Sequence, residues 1–307
     1  MQALLDAVAR LQVPDQAERL FHGRGGLFPG CEHLSLDWFA PVWLLTSFKA
    51  LDEEALQQVH EALGRRWLAL GRADPLSWVY QCRAQGSPAS TRLMAGDVPE
   101  PHVVSEQGAL YRVHLLRGQN HGLFLDMARG REWMRRHASG QKVLNLFAYT
   151  CSFSVVALQA GAAEVVNLDM SAGALAIGQQ NHRLNALDTG ARFLAHDLFK
   201  TWGKLRQHGP YDVVIVDPPS HQKGSFVATK DYARVVRRLP ELLSPHGQAL
   251  LCLNAPELSS QFLLELVAAE APSLRFVERL DNPAVFADVD PERALKVMLF
   301  ACGHTAC

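Results

Sequence analysis

The chain has 307 residues, 48% of them hydrophobic and 20% charged, enough to bury a large core and to form two domains rather than one. A formal net charge of -1 excludes a uniformly basic nucleic-acid-binding surface and leaves room only for local patches. The six cysteines form no CxxC pair, no apolar run approaches the ~18 residues of a membrane span, and no secretory apolar core follows a basic amino terminus, so a reducing cytoplasm is the expected compartment.

In chain order, residues 1–100 predict a small α/β substrate-recognition module. Helical periods run through Leu4, Leu5, Val8, Leu11 and again through Leu56, Val59, Leu63, Trp67, Leu70, with short apolar runs "APVWLLTSF" and "SWVYQC" between and after them. "HGRGGLFPG" has glycines but no apparent strand before it and is expected to be a loop. "AQGSPASTRLMAGDVPEP" is the natural linker. Residues 101–307 open with "HVVSEQGALYRVHLL", a hairpin turning at Gln107 and Gly108. "GLFLDMARGREWMRRHA" follows as a helix, with Asp126 placed to cap it. Its Arg129, Arg131, Arg135 and Arg136 read either as a local RNA-binding patch or as a solvated helix face.

From Lys142 onward, "VLNLF", "EVVNLD", "ARFLAHD", "YDVVIVDPP", "QALLCLN", "LRFVERL" and "ALKVMLFAC" make seven candidate strands. Helical stretches separate most of them, at Ser154–Ala160, Ala172–Asn185, Tyr232–Leu243 and Ser259–Ala269. Such alternation implies a mainly parallel sheet covered on both faces, with the last two strands forming an antiparallel hairpin at one edge. Cys302, His304 and Cys307 lie close together in the tail, but fraying is expected there and no metal is assigned.

In an open α/β sheet, ligands gather at the carboxyl ends of the strands. Asp169 ends the second strand, Asp197 follows the third and Asp217 ends the fourth. Asp169 stands twenty positions after Tyr149, a spacing at which an acidic side chain accepts the hydroxyls of an adenosine ribose; a carboxylate capping the next helix at Ser171 would look similar. The turn after "VLNLF" contains no glycine, so it lacks the G-x-G-x-x-G of a pyrophosphate site, and no G-x-x-x-x-G-K-[ST] occurs. An adenosine cofactor without phosphates, carrying an amino-acid tail and a sulfonium, fits that turn: S-adenosylmethionine. In "DPPS", Asp217–Ser220, two prolines directly after a buried strand cannot continue its ladder and stiffen a turn at the sheet's working edge. Such a corner suits holding a planar base in line with a methyl donor, where placement supplies several kcal/mol of rate enhancement.

At these residues the chain resembles the class I S-adenosylmethionine-dependent methyltransferases that modify large-subunit ribosomal RNA, of the bacterial 23S rRNA guanine-N7 and cytosine-C5 type. "GLFLDMARGR", "LNLFAYT", "VVNLDMSAGALAIGQQNHRLNAL", "HDLF", "YDVVIVDPPS" and "KDYARVVRRLPELLSPHGQALLCLN" carry the likeness from about Val103 to Cys302. The resemblance implies a Rossmann-like seven-stranded methyltransferase sheet preceded by a β-hairpin. Phe147, Ala148, Tyr149, Thr150 and Ser152 would wrap the methionine end of the cofactor, with Asp169 on the ribose and Met170 beside the adenine. Asp197 and Leu198 would approach the adenine edge. Phe124 and Asp126 would contribute from the hairpin side, Asn181 from a helix, and Asp217, Pro218, Pro219 and His221 would face the transferred methyl and the base.

The chain departs from the family pattern at Cys151, where a glycine is usual, at Ala128 in place of an arginine, and at His221 in place of another aromatic. Methylating cytosine C5 needs a nucleophile to add to the ring, usually a cysteine thiolate, and the resemblance implies that it would stand just beyond the fifth strand; Asn254, Ala255 and Pro256 stand there, and Cys252 falls inside the strand pattern. A nucleobase nitrogen of RNA, in 23S rRNA or a ribosomal precursor, is therefore the expected target. The alternatives are a catalytically degenerate cofactor-binding scaffold and a methyltransferase acting on protein or a small molecule. The sequence leaves the oligomeric state open, with a homodimer as one candidate.

Overall fold

The computed structural model describes residues 1–303 except 85, 87, 220 and 223–225, with the backbone alone at 221 and 222. The chain divides into two compact units, Met1–Leu125 with Pro283–Pro291, and Asp126–Asn282 with Glu292–Cys307.

The first unit contains α1 (Gln2–Arg10), β1 (Glu18–His22), β2 (Leu34–Phe39), β3 (Val42–Ser47), α2 (Glu53–Ala69), β4 (Ser77–Cys82) and β5 (Ser90–Ala95). Its sheet runs β1-β2-β3-β4-β5. Only β3 and β4 pair in parallel, because α2 lies between them as the crossover that parallel pairing requires. Period-2 alternation splits this sheet into two chemically different faces. Leu36, Trp38, Trp43, Leu45, Trp78 and Tyr80 form one core with Leu4 and Val8 of α1 and Leu56, Val59, Leu63 and Trp67 of α2. The opposite face carries a polar row, His22, Ser35, Thr46, Gln81 and Thr91, beside the cross-strand pair Arg19 and Asp37.

Two sequence expectations need correction here. "HGRGG" does follow a strand, β1, whose alternation is broken by a bulge between Arg19 and Phe21. The expected linker also contains a strand, since β5 pairs antiparallel with β4 as the sheet edge. The hairpin forms where its sequence placed it, as β6 (His102–Glu106) and β7 (Ala109–Val113). Positive φ at both Gln107 and Gly108 gives the turn the twist that a two-residue hairpin needs.

The second unit contains α3 (Ala128–His137), β8 (Lys142–Leu146), α4 (Ser152–Gln159), β9 (Glu164–Asp169), α5 (Ala172–Leu184), β10 (Ala191–Ala195), α6 (Trp202–His208) and β11 (Tyr211–Val216). It continues through β12 (His221–Gln222), β13 (Phe226–Val227), α7 (Ala228–Val236), α8 (Leu239–Leu242), β14 (Leu243–Leu253), α9 (Ser260–Glu270), β15 (Leu274–Leu280) and β16 (Lys296–Cys302). The seven-stranded sheet has the order β10-β9-β8-β11-β14-β16-β15. Its first five strands are parallel and β16 runs antiparallel between β14 and β15, as the seven apolar runs predict. Runs such as Val213–Val216 are buried throughout because helices cover both faces of a parallel sheet.

The expected helix over Tyr232–Leu243 is two helices, α7 and α8, the second carrying Pro240 in its first turn. α3 begins after Met127 without a side-chain cap; Asp126 lies in the preceding 3-10 turn and so is not its cap. The four arginines of α3 do not act together. Arg129 and Arg136 pair with Glu132 on the exposed side, Arg135 reaches Gln159, and Arg131 is 1% exposed.

Candidate active site

The order of the large sheet reverses between β8 and β11, the position where open α/β sheets leave a crevice. The turn from β8 into α4 forms one side of it. Its backbone enters the left-handed region at Phe147 (φ 58°), Tyr149 (φ 47°) and Cys151 (φ 62°), so the chain bends without glycine by taking three conformations that L residues rarely adopt. Neighbouring elements hold it there. The Ala148 N–H donates to Leu168 O at 3.0 Å and the Cys151 N–H to Ala148 O at 2.7 Å. Asn181 of α5 donates from Nδ2 to Thr150 O at 3.0 Å. The Cys151 side chain packs on Gly178, where an added Cβ would lie 2.5 Å from Sγ.

Below this turn runs a buried polar chain with one proton direction. His182 accepts or donates at both nitrogens: Nδ1 lies 2.7 Å from Gly178 O, which fixes its proton on that side and leaves Nε2 to accept from Ser154 Oγ at 2.8 Å. Ser154 in turn accepts from Asn167 Nδ2 at 2.9 Å, and Asn167 Oδ1 accepts from Asn145 Nδ2 at 3.0 Å. Burial lowers the His182 pKa, consistent with a neutral ring. These four residues tie β8, β9, α4 and α5 together directly under the turn.

Asp169, at the end of β9, accepts the Tyr149 N–H on Oδ2 and the Ser171 N–H on Oδ1, both at 2.8 Å. A carboxylate has about four lone-pair sites, so the capping function leaves room for a pair of hydroxyls. Met170 beside it is 59% exposed. After β10, Asp197 accepts the Phe199 N–H at 2.9 Å and approaches Lys200 Nζ at 3.5 Å, with Leu198 buried. Phe124 is 44% exposed and lies in the first compact unit.

Asp217 leaves β11 next to Pro218, which is buried, and Pro219, which is half-buried. A little of Asp217 reaches the surface, but the packing around it is dense. Burial pushes its carboxyl up to about 7, Asp126 adds to the rise, and the buried guanidinium of Arg131 opposes it. Beneath it, the Tyr232 hydroxyl lies 3.0 Å from Cys252 O and 3.4 Å from Val216 O, bracing the ends of β11 and β14. Phe226 makes edge contacts with Phe147 and Tyr232, with ring centroids 5.3 and 5.9 Å apart. Cys252 is buried inside β14; burial, Asp217 and Asp126 all push its thiol up. Ser220 lies outside the described residues, as do His304 and Cys307 of the tail; His221 pairs with Val227 through its backbone.

The parallel topology thus brings Asp169, Asp197, Asp217 and the 147–152 turn to one edge of one sheet. Sequence reasoning missed the inner supports. Asn145 and Asn167 were visible as polar residues inside apolar strands, which is the signal for a buried network. Arg131, read with the surface arginines, belongs with the carboxylates.

Ligand fit follows from this donor set. The turn offers few amides for a pyrophosphate, whereas carboxylates and exposed apolar side chains suit a ribose, an adenine and a cationic tail. Residues 18–301 match the family model for S-adenosylmethionine-dependent methyltransferases. The chain is 35% identical over 277 residues to a ribosomal RNA large subunit methyltransferase I of Tolumonas auensis, covering 86% of this chain and 66% of that one. It is 34% identical over 195 residues to the protein of that name from Aeromonas salmonicida, covering 62% and 49%. The chain therefore spans about half the length of that second relative. Among solved structures, a methyltransferase-type protein complexed with SAH superposes with a TM-score of 0.80 at 25% identity, covering 98% of this chain and 78% of that one. By its sequence match, this chain belongs to the S-adenosylmethionine-dependent methyltransferase family.

Proposed function

We propose that this protein methylates a nucleobase nitrogen of RNA, with large-subunit ribosomal RNA or its precursor as substrate and S-adenosylmethionine as donor. The cofactor supplies a methyl group on a cationic sulfur. Asp169 would accept its ribose hydroxyls, Met170 and Leu198 would flank its adenine with Asp197 at the edge, and the turn from Phe147 to Ser152 with Asp126 and Asn181 would enclose its amino-acid end. Asp217, Pro218, Pro219 and His221 would hold the base in line, so that its nitrogen lone pair bonds to carbon as the carbon–sulfur bond breaks. Residues 1–100 would recognise the RNA. The relatives named for ribosomal RNA support the substrate class.

The observation that carries the nitrogen assignment is Cys252. Its thiol is buried within β14 and held neutral by burial and two carboxylates, while the strand end presents exposed Asn254 and buried Ala255. Among the described residues, no thiolate stands ready at this strand end to add to a pyrimidine ring. A ring nitrogen such as guanine N7 needs no such activation, and an exocyclic amine could pass its proton to the Asp217 carboxylate, poised near neutrality.

The test incubates protein and labelled cofactor with ribosomal RNA, assembled subunits and protein extract, then maps the modified nucleoside by mass. Cys252→Ala should retain at least about half of the wild-type turnover, since a conservative core change of this size costs little. Loss of transfer with cofactor binding intact would restore the cytosine-C5 reading, and label appearing only in protein would overturn the RNA substrate.

A further inference from the structure

Beside the polar row of the five-stranded sheet stand three arginines with no part in the strand-end site: Arg19 on β1, Arg24 in the turn after it and Arg83 just past β4. Arg19 donates from Nε and Nη2 to Asp37 at 2.6 and 3.1 Å and approaches His22 Nδ1 at 2.9 Å. Its guanidinium lies 4.7 Å from the centre of the Phe286 ring. Arg24 is exposed and lies 4.0 Å over Phe48. Its neighbours explain why glycines surround it: a Cβ on Gly23 would meet Cys31 O at 1.8 Å, and one on Gly25 would meet Ala287 O at 2.0 Å. The backbone is pinned on both sides while the side chain between them stays at the surface.

Arg83 completes the group. Its backbone N–H donates to Ser47 O at 2.7 Å, which sets it beside Phe48 at the end of β3. The side chain donates to Gln81 Oε1, Gln119 O and His121 Nε2. These acceptors are neutral, because burial and the cation beside it hold the His121 pKa at about 4. Thus a half-buried guanidinium is fixed in place, with no carboxylate of its own among the described residues. Arg19 and Arg24 bear on it, with Asp37 as the opposing charge. Asp37 and Asp288 are the anions facing His22, whose pKa burial and the same two arginines lower to about 4, so His22 contributes no positive charge.

A guanidinium fork matches phosphate oxygens in pairs, and the prior ordering of Arg19 and Arg24 over aromatic rings and of Arg83 by its three acceptors reduces the entropy lost on binding. We infer that Arg19, Arg24 and Arg83 form a phosphate clamp on the amino-terminal unit that grips the backbone of the RNA substrate. The RNA identity of the ligand rests on the reading under Proposed function.

The test measures filter binding of purified ribosomal RNA across a salt series, for the wild type and for R24Q, R24E and R83Q, with R65Q on α2 as control. Each clamp variant should bind roughly tenfold more weakly at physiological salt and reduce the slope of log affinity against log salt by about 1. R65Q should match the wild type, and all should bind S-adenosylmethionine equally in calorimetry. Arg24 is exposed, so R24Q and R24E decide the matter if R83Q fails to fold. Wild-type affinity and slope in both Arg24 variants would overturn the clamp while leaving RNA methylation standing. A wild type that binds no RNA and methylates an acidic protein instead would overturn both.

Discussion

Asp217 shows what a single side chain at the sheet edge costs and provides. Its carboxyl lies at about 7 in the folded chain, mainly through burial and then through Asp126, against roughly 3.9 when unfolded. The native state therefore keeps a proton that the unfolded chain has lost between those values. Stability falls as pH rises across that window and levels off above about 7. Asp217→Asn removes the penalty and should raise unfolding stability at pH 8 by about 1–4 kcal/mol, with a much smaller gain near pH 4. The same variant should lose turnover on an exocyclic amine, because its amide cannot accept a proton, and keep it on a ring nitrogen such as guanine N7. Urea unfolding at the two pH values, paired with a methyl-transfer assay, checks both halves; equal shifts at both pH values would contradict the assignment.

At the scale of elements, the β8–α4 turn depends on α5 to hold its backbone. Gly178→Ala would bring a methyl carbon within 2.5 Å of Cys151 Sγ and displace the strained turn. The variant should lose about 1–3 kcal/mol of stability and bind S-adenosylmethionine at least about tenfold more weakly in calorimetry. Unchanged cofactor affinity would separate the turn's geometry from binding. The sequence disclosed the seven strands of the large sheet because each is a buried apolar run. It hid others for identifiable reasons. In "ERLFH" a bulge breaks the alternation; "LSLDWF" places Asp37 in a buried strand, where it pairs with Arg19; α6 buries only Leu205, too little for a helical period. The acidic strand ends were legible as a set. Three left-handed residues in a turn without glycine were not, since propensity opposes that conformation and only the surrounding contacts impose it.

On the scale of the whole molecule, the first compact unit is discontinuous, closed by Pro283–Pro291 from between β15 and β16. The Val289 N–H donates to Gly25 O at 2.8 Å, and Phe286 packs near His22 with ring centroids 5.1 Å apart. Phe286 is 8% exposed, so Phe286→Ala should destabilise this unit by about 2–4 kcal/mol. Differential hydrogen exchange would localise the loss to β1 and the 23–26 loop; an effect confined to β15 and β16 would refute the assignment of the segment to the first unit.

That discontinuity has a consequence for synthesis. After Leu125 emerges, the ribosome adds on the order of 160 residues before Phe286 is available, a delay of roughly ten to thirty seconds at typical elongation rates. Throughout it the amino-terminal half waits without its closing piece. Its tryptophans pack with α1 and α2, all encoded before that point, so what waits for Phe286 is the polar corner at Arg19 and His22 rather than the core.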